Sequence, residues 1–157
     1  MNGIMTPKAK LKDVGWSGED HRSVANNAEN INKVKNLLNT TGCGFCLAKF
    51  KQVTIHLGTG MTHSCHHPTP HKIPLKEIEN NPAALFNTLH LKSVRKQMLN
   101  DEKPDECDYC WRVEENDGKS DRFYKSLEPW AIKHHDDIVE LTGDEDLFPS
   151  YQEVSFS

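Results

Sequence analysis

Four of the chain's five cysteines stand at Cys46, Cys65, Cys107 and Cys110, and their placement constrains the fold more than any other feature. Cys107-Asp-Tyr-Cys110 is a C-x2-C pair, a spacing that lets two thiolates leave one short turn toward a single metal centre. Cys46 and Cys65 have 18 residues between them, yet the segment they flank reads as a hairpin. Val53, Ile55 and Leu57 alternate with Gln52, Thr54 and His56, Gly58-Thr-Gly60 supplies turn residues, and Met61–Cys65 can return as a second strand. A hairpin brings its ends together, so two thiols from its base and two from the C-x2-C turn make one four-sulfur site. Both a [4Fe–4S] cluster and Zn2+ accept such a site.

Composition is in keeping with a core that a metal or crosslink supplements. The 157 residues suit one domain, but only 36% are hydrophobic and the mean hydropathy is -0.71. A core this small gains from a metal, whose binding free energy becomes folding free energy. Five is an odd number of cysteines, so a fully paired disulfide framework is excluded. The first residues, MNGIMTPKAKLK, lack an apolar signal region, and no apolar run approaches the roughly 18 residues of a membrane span. The chain reads as soluble and cytoplasmic, a setting in which cysteines serve as ligands more often than as disulfides. Net charge is -4 and the pI about 6.1, so neither a membrane nor a nucleic acid is an expected partner. Lys8–Lys12 and Lys92–Lys96 read as solvated basic faces.

The expected fold is α+β, a small hairpin with surrounding helices and a C-terminal strand. Residues 1–42 form a helical and irregular extension, with one helix from about Val24 to Leu38 burying Ile31, Val34 and Leu38 before Gly42 stops it. Residues 43–128 form the cysteine module. There, 66–82 reads as loop, Pro82 opens a short helix, and Leu91–Leu99 forms another. Pro104 breaks the chain, Cys107–Glu115 is helical up to Gly118, and 120–127 holds a further short helix. Residues 129–157 give a helix near 130–141, a turn at Gly143–Asp146 and a strand Tyr151–Phe156 with Val154 and Phe156 on one face.

Other chemistry-bearing residues are weaker candidates. Cys43 also makes a C-x2-C with Cys46, so it either replaces Cys46 or is a fifth, non-ligating thiol. His63, His66, His67 and His71 read as a polar loop that a zinc site could recruit. His134 and His135 fall on an expected exposed helix. Glu114-Glu115 and Asp136-Asp137 read as solvated carboxylates, and Ser64-Cys65-His66 are neighbours in sequence rather than a converging triad. A chain with free thiols and no metal is the third reading.

The pattern Cys46-x13-Gly60-x4-Cys65 followed by Cys107-x2-Cys110 resembles the auxiliary cluster-binding motif of SPASM and twitch domains in radical S-adenosylmethionine enzymes. Phe45-Cys46, the Ser93–Glu106 segment, Cys110-Trp-Arg-Val-Glu-Glu and Gly118-Lys-Ser-Asp-Arg122 are similar to the family's flanking residues, so the resemblance covers about 45–157. Cys65-His66 stands where many members have Cys-Cys, and the single-cluster twitch type fits better than the full SPASM domain. The resemblance implies one [4Fe–4S] cluster on Cys46, Cys65, Cys107 and Cys110, and Cys46 rather than Cys43 as the ligand. It also implies that Tyr151–Ser157 opens the strand of a radical core whose C-x3-C-x2-C loop is not in this chain, which would leave that strand an unpaired edge. On that reading the chain is the N-terminal part of a longer enzyme or a split module, inactive alone. Its partner is a radical core, in cis or in trans, which would bind S-adenosylmethionine. No motif specifies the electron donor.

Overall fold

The computed structural model describes residues 9–15, 28–141 and 153–157. Helix α1, Ala28–Thr41, buries Ile31, Val34, Leu37 and Leu38 along one stripe and ends where the Gly42 N–H reaches the Leu38 carbonyl at 2.9 Å. The predicted start at Val24 lies outside the described residues. After a tight corner at 42–46, a short helix α2, Leu47–Lys51, runs directly into strand β1, Gln52–His56. This helix was not expected. It buries Phe50 and also the side chains of Lys49 and Lys51.

The hairpin forms as the alternation predicts, though shorter. Strand β2, Met61–His63, pairs antiparallel with β1 through Thr54↔His63, Ile55↔Thr62 and His56↔Met61. Leu57 falls in the turn and is exposed, while Val53 and Ile55 are buried. Gly60 closes the turn at φ 70°, a left-handed position that costs glycine little. Where a loop was expected, two elements form. Strand β3, His71–Lys72, adds to β2, and helix α3, Leu75–Asn80, starts after Pro74. A two-residue strand and a helix with no buried residue leave little periodic signal for a sequence reading to find.

A 3₁₀ turn at Pro82–Leu85 carries proline in its first turn, as predicted. Helix α4, Leu89–Leu99, is capped by Thr88, whose hydroxyl oxygen accepts the Leu91 N–H at 3.1 Å. Leu91, Val94 and Met98 are buried as expected, but the basic face at Lys92–Lys96 is not wholly solvated. Arg95 is fully buried, donating from Nε to the Lys49 carbonyl at 2.9 Å and from Nη1 to Asn87 Oδ1.

Beyond Pro104 come a 3₁₀ turn Asp105–Cys107 and helix α5, Asp108–Glu115. Asp117, at φ 61°, takes the left-handed position that Gly118 was expected to fill. Helix α6 is Asp121–Leu127. The predicted helix at 130–141 is two pieces, α7, Pro129–Ile132, and α8, His135–Ile138. His135 is not exposed: it is fully buried, with Nε2 at 3.1 Å from Thr41 Oγ1.

The C-terminal strand β4, Glu153–Phe156, lies parallel to β1 through Gln52↔Glu153 to Ile55↔Phe156, giving the order β3-β2-β1-β4. The expectation that this strand lacks a partner within the chain is therefore corrected. β1 had one edge open after pairing β2, and β4 fills it. Val154 and Phe156 remain exposed, with Phe156 edge-on to Phe86 at 6.4 Å. The turn predicted at Gly143–Asp146 lies outside the described residues.

The architecture is α+β. Helices α1, α2, α6 and α7 enclose the larger core, built on Leu37, Leu38, Phe45, Phe50, Phe123 and Ile132. Val53, Ile55, Ile73 and Leu91 form a smaller core beneath the sheet. Among the described residues no helix is long and apolar enough to cross a membrane.

Candidate metal centre

Four local structures set the thiols. Cys46 is the N-cap of α2, with extended backbone at φ -143° and ψ 121°, so its side chain leaves the corner rather than the helix. Cys65 follows β2 by two residues. Cys107 ends the 3₁₀ turn after Pro104, and Cys110 lies in the first turn of α5. The Trp111 indole N–H donates to the Pro104 carbonyl at 2.9 Å, which ties the C-x2-C turn to the residue that starts it.

All four cysteines line one recess, beside Lys49 and Arg122. The sequence-predicted residues are thus brought together from the corner, the hairpin and the α5 turn. Cys43 is not among them. It is exposed, its N–H donates to Asp101 Oδ1 at 2.7 Å, and its Sγ lies 3.2 Å from the Asp101 carbonyl.

The sulfurs have donors around them. The Ser126 hydroxyl oxygen accepts the Leu47 N–H at 3.1 Å, which leaves its own proton for Cys46 Sγ at 3.9 Å. Backbone N–H groups of His67 and Arg122 donate to the sulfurs of Cys65 and Cys110. Two further buried polar atoms in the lining residues, Ser64 Oγ and Arg122 Nε, have no hydrogen-bond partner among the described residues. Such atoms are uncommon in a folded interior and call for an acceptor. Ser126→Ala would strand the buried Leu47 N–H and is expected to cost about 1–2 kcal/mol in a urea unfolding titration.

Burial and mutual repulsion favour the protonated thiols of Cys65, Cys107 and Cys110. Burial pushes Cys107 up to about 12, against the pull of Lys49, and the neighbouring Cys46, Glu106 and Cys65 add to it. Burial and then Cys46 push Cys110 up to about 11. Burial also raises Cys65, with the His67 N–H acting the other way. A cation in the recess would replace those protons, so metal uptake releases them. Lys49 is the standing counter-charge. Burial by itself would lower its pKa, but Cys107 and Glu106 outweigh burial and raise it. Its Nζ pairs with Glu106 Oε2 at 2.5 Å.

Composition and spacing did not mark Lys49, Ser64 or Ser126 as site residues, because each is an ordinary polar residue until the fold buries it. The histidines divide. His56 and His63 lie 2.9 Å apart across the hairpin, and His63 Nδ1 is 2.6 Å from the Cys65 carbonyl. His71 packs on His90, which bonds Glu106. His66 and His67 gather with Asp121.

These features define a class, an α+β module whose four cysteines, Cys107 and Cys110 buried and Cys46 and Cys65 partly buried, line one recess. Comparisons with protein-family models, curated proteins and solved structures give no match for the chain.

Proposed function

We propose that Cys46, Cys65, Cys107 and Cys110 bind one [4Fe–4S] cluster. On this reading the chain is the auxiliary, twitch-type cluster module of a cytoplasmic radical S-adenosylmethionine enzyme, whose core acts in cis or in trans. The observation that carries it is the convergence of four thiols from three separate stretches of chain on one recess, with Cys43 turned away to Asp101.

The donor set fits the group. Thiolates are the usual cluster ligands, and hydrogen bonds to sulfur tune such clusters. Ser126 and the N–H groups of His67 and Arg122 reach the cysteine sulfurs, while Ser64 Oγ and Arg122 Nε are buried donors in need of acceptors that sulfide would supply.

When bound, the cluster supplies a one-electron redox centre. The protein's part is to hold it with four thiolates, leave no iron open, and enclose it beside the cationic Lys49. A closed cluster serves electron relay or structural support rather than substrate binding. S-adenosylmethionine belongs to the core, since no C-x3-C-x2-C stands in this sequence.

Anaerobic reconstitution with iron and sulfide tests the reading. About four irons and four sulfides per chain are expected, with loss in each of the Cys46, Cys65, Cys107 and Cys110 serine variants and retention in Cys43→Ser. Tight zinc with no iron or sulfide uptake would overturn it in favour of a zinc-held interaction scaffold.

A further inference from the structure

At the rim of the thiol recess, a second group of ligand atoms converges. His66 and His67 follow Cys65 in the loop after β2, and Asp121 is the first residue of α6. Their ligand atoms lie within 4.8 Å of one another. Asp121 Oδ2 is 2.6 Å from His67 Nε2 and 3.6 Å from His66 Nε2. Ligands about 2.1 Å from a tetrahedral ion stand about 3.4 Å apart, a distance these two values bracket.

The group is held in part by packing. The His67 ring is nearly buried and stacks on Tyr109 of α5, with centroids 4.0 Å apart and planes 12° apart. Its backbone N–H is bonded to Cys65 sulfur, so the ring's position is tied to the hairpin. His66 is open to solvent and its ring lies 4.0 Å from that of His67, so it can swing onto an ion without disturbing the core.

We infer that His66, His67 and Asp121 form a second metal site, separate from the thiols, which takes a divalent first-row ion such as Zn2+ or Co2+. Two imidazoles and a carboxylate favour such an ion over magnesium or calcium, which prefer all-oxygen sites. Three protein ligands leave room for water or an anionic group. His67 and Asp121 also line the thiol recess, but the second site takes none of its sulfurs as ligands and so does not depend on whether the thiols hold a cluster or zinc.

Cobalt separates the two sites in the full reduced chain. Cobalt on thiolates gives intense near-ultraviolet charge-transfer absorption, whereas cobalt on imidazole and carboxylate gives only weak visible bands. Under equilibrium dialysis with Co2+, a second equivalent is expected to bind without adding charge-transfer absorption. His66→Ala, a change at an exposed side chain, and the near-isosteric Asp121→Asn are each expected to weaken that equivalent about tenfold or more and to keep the charge-transfer site. Absence of the second equivalent from wild type, its persistence in both variants, or thiolate absorption accompanying it would each overturn the inference. Failure of the thiol site would show instead as missing charge-transfer absorption, with the second equivalent intact.

Discussion

Gly44→Ala is expected to destabilise the chain by about 3 kcal/mol and to impair metal uptake together with it. A Cβ at Gly44 would stand 1.9 Å from the Glu102 carbonyl oxygen, 2.7 Å from its carbon and 2.8 Å from Lys103 Cα. All three are backbone atoms, so no side chain can swing aside. Gly44 lies in the corner between Cys43 and Cys46, and Glu102-Lys103 runs directly into Pro104 and the C-x2-C turn. The substitution therefore pushes apart the two strands of chain that carry Cys46 and Cys107. The measurement is the urea midpoint of the metal-free chain, with iron counting after reconstitution alongside it. A variant as stable as wild type would mean that these two backbones do not touch, and the geometry of the recess would fall with that contact.

The second large effect is acid destabilisation through His71. Its Nε2 lies 2.8 Å from Thr88 Oγ1. That hydroxyl oxygen also accepts the Leu91 N–H, and its own proton is free to be donated to a neutral His71 Nε2. Burial, and then the charge of His90, hold His71 down to about 4 from an ordinary value of 6.5. Because the folded value lies below the unfolded one, the unfolded chain binds more protons between pH 6.5 and 4. Stability is then full above pH 6.5 and falls as the solution is acidified through that window. With the ring only half-buried and screened by solvent, the loss amounts to about 1–2 kcal/mol. Glu106 extends the loss to lower pH. Burial would raise its carboxyl, but Lys49 and His90 prevail and depress it, so its contribution is present above the ordinary carboxylate range and disappears as it protonates. Denaturant titrations across pH 7 to 4 check this. The slope between pH 6.5 and 4 should flatten in His71→Gln, and equal slopes in the two proteins would exclude His71 as its source.

The same network shows why one part of this protein was legible and another was not. Val53 and Ile55 alternate with polar residues, so the hairpin can be read directly, and Ile31, Val34 and Leu38 mark the face of α1 in the same way. The four thiols could be paired into one site because hairpin geometry and C-x2-C spacing are local. Helix α2 escaped notice because two of its five residues are lysines, and the tertiary ion pair of Lys49 with Glu106 is what offsets the Lys49 charge inside. His135 read as a surface residue for the same reason, until Thr41 met it across α1 and α8.

Local order thus follows from the chain's own pattern. It sets the hairpin, the capped helix at Thr88, the breaks at Pro74 and Pro104, and the four sulfurs that can share a centre. Tertiary packing decides which polar residues become interior and who partners whom. It turns Cys43 to Asp101 and Cys46 to the recess, seats β4 on the open edge of β1, and places Asp121 beside His66 and His67. Those outcomes depend on contacts between segments tens of residues apart, and neither periodicity nor motif spacing encodes the distance between two side chains that meet only when the chain closes on itself.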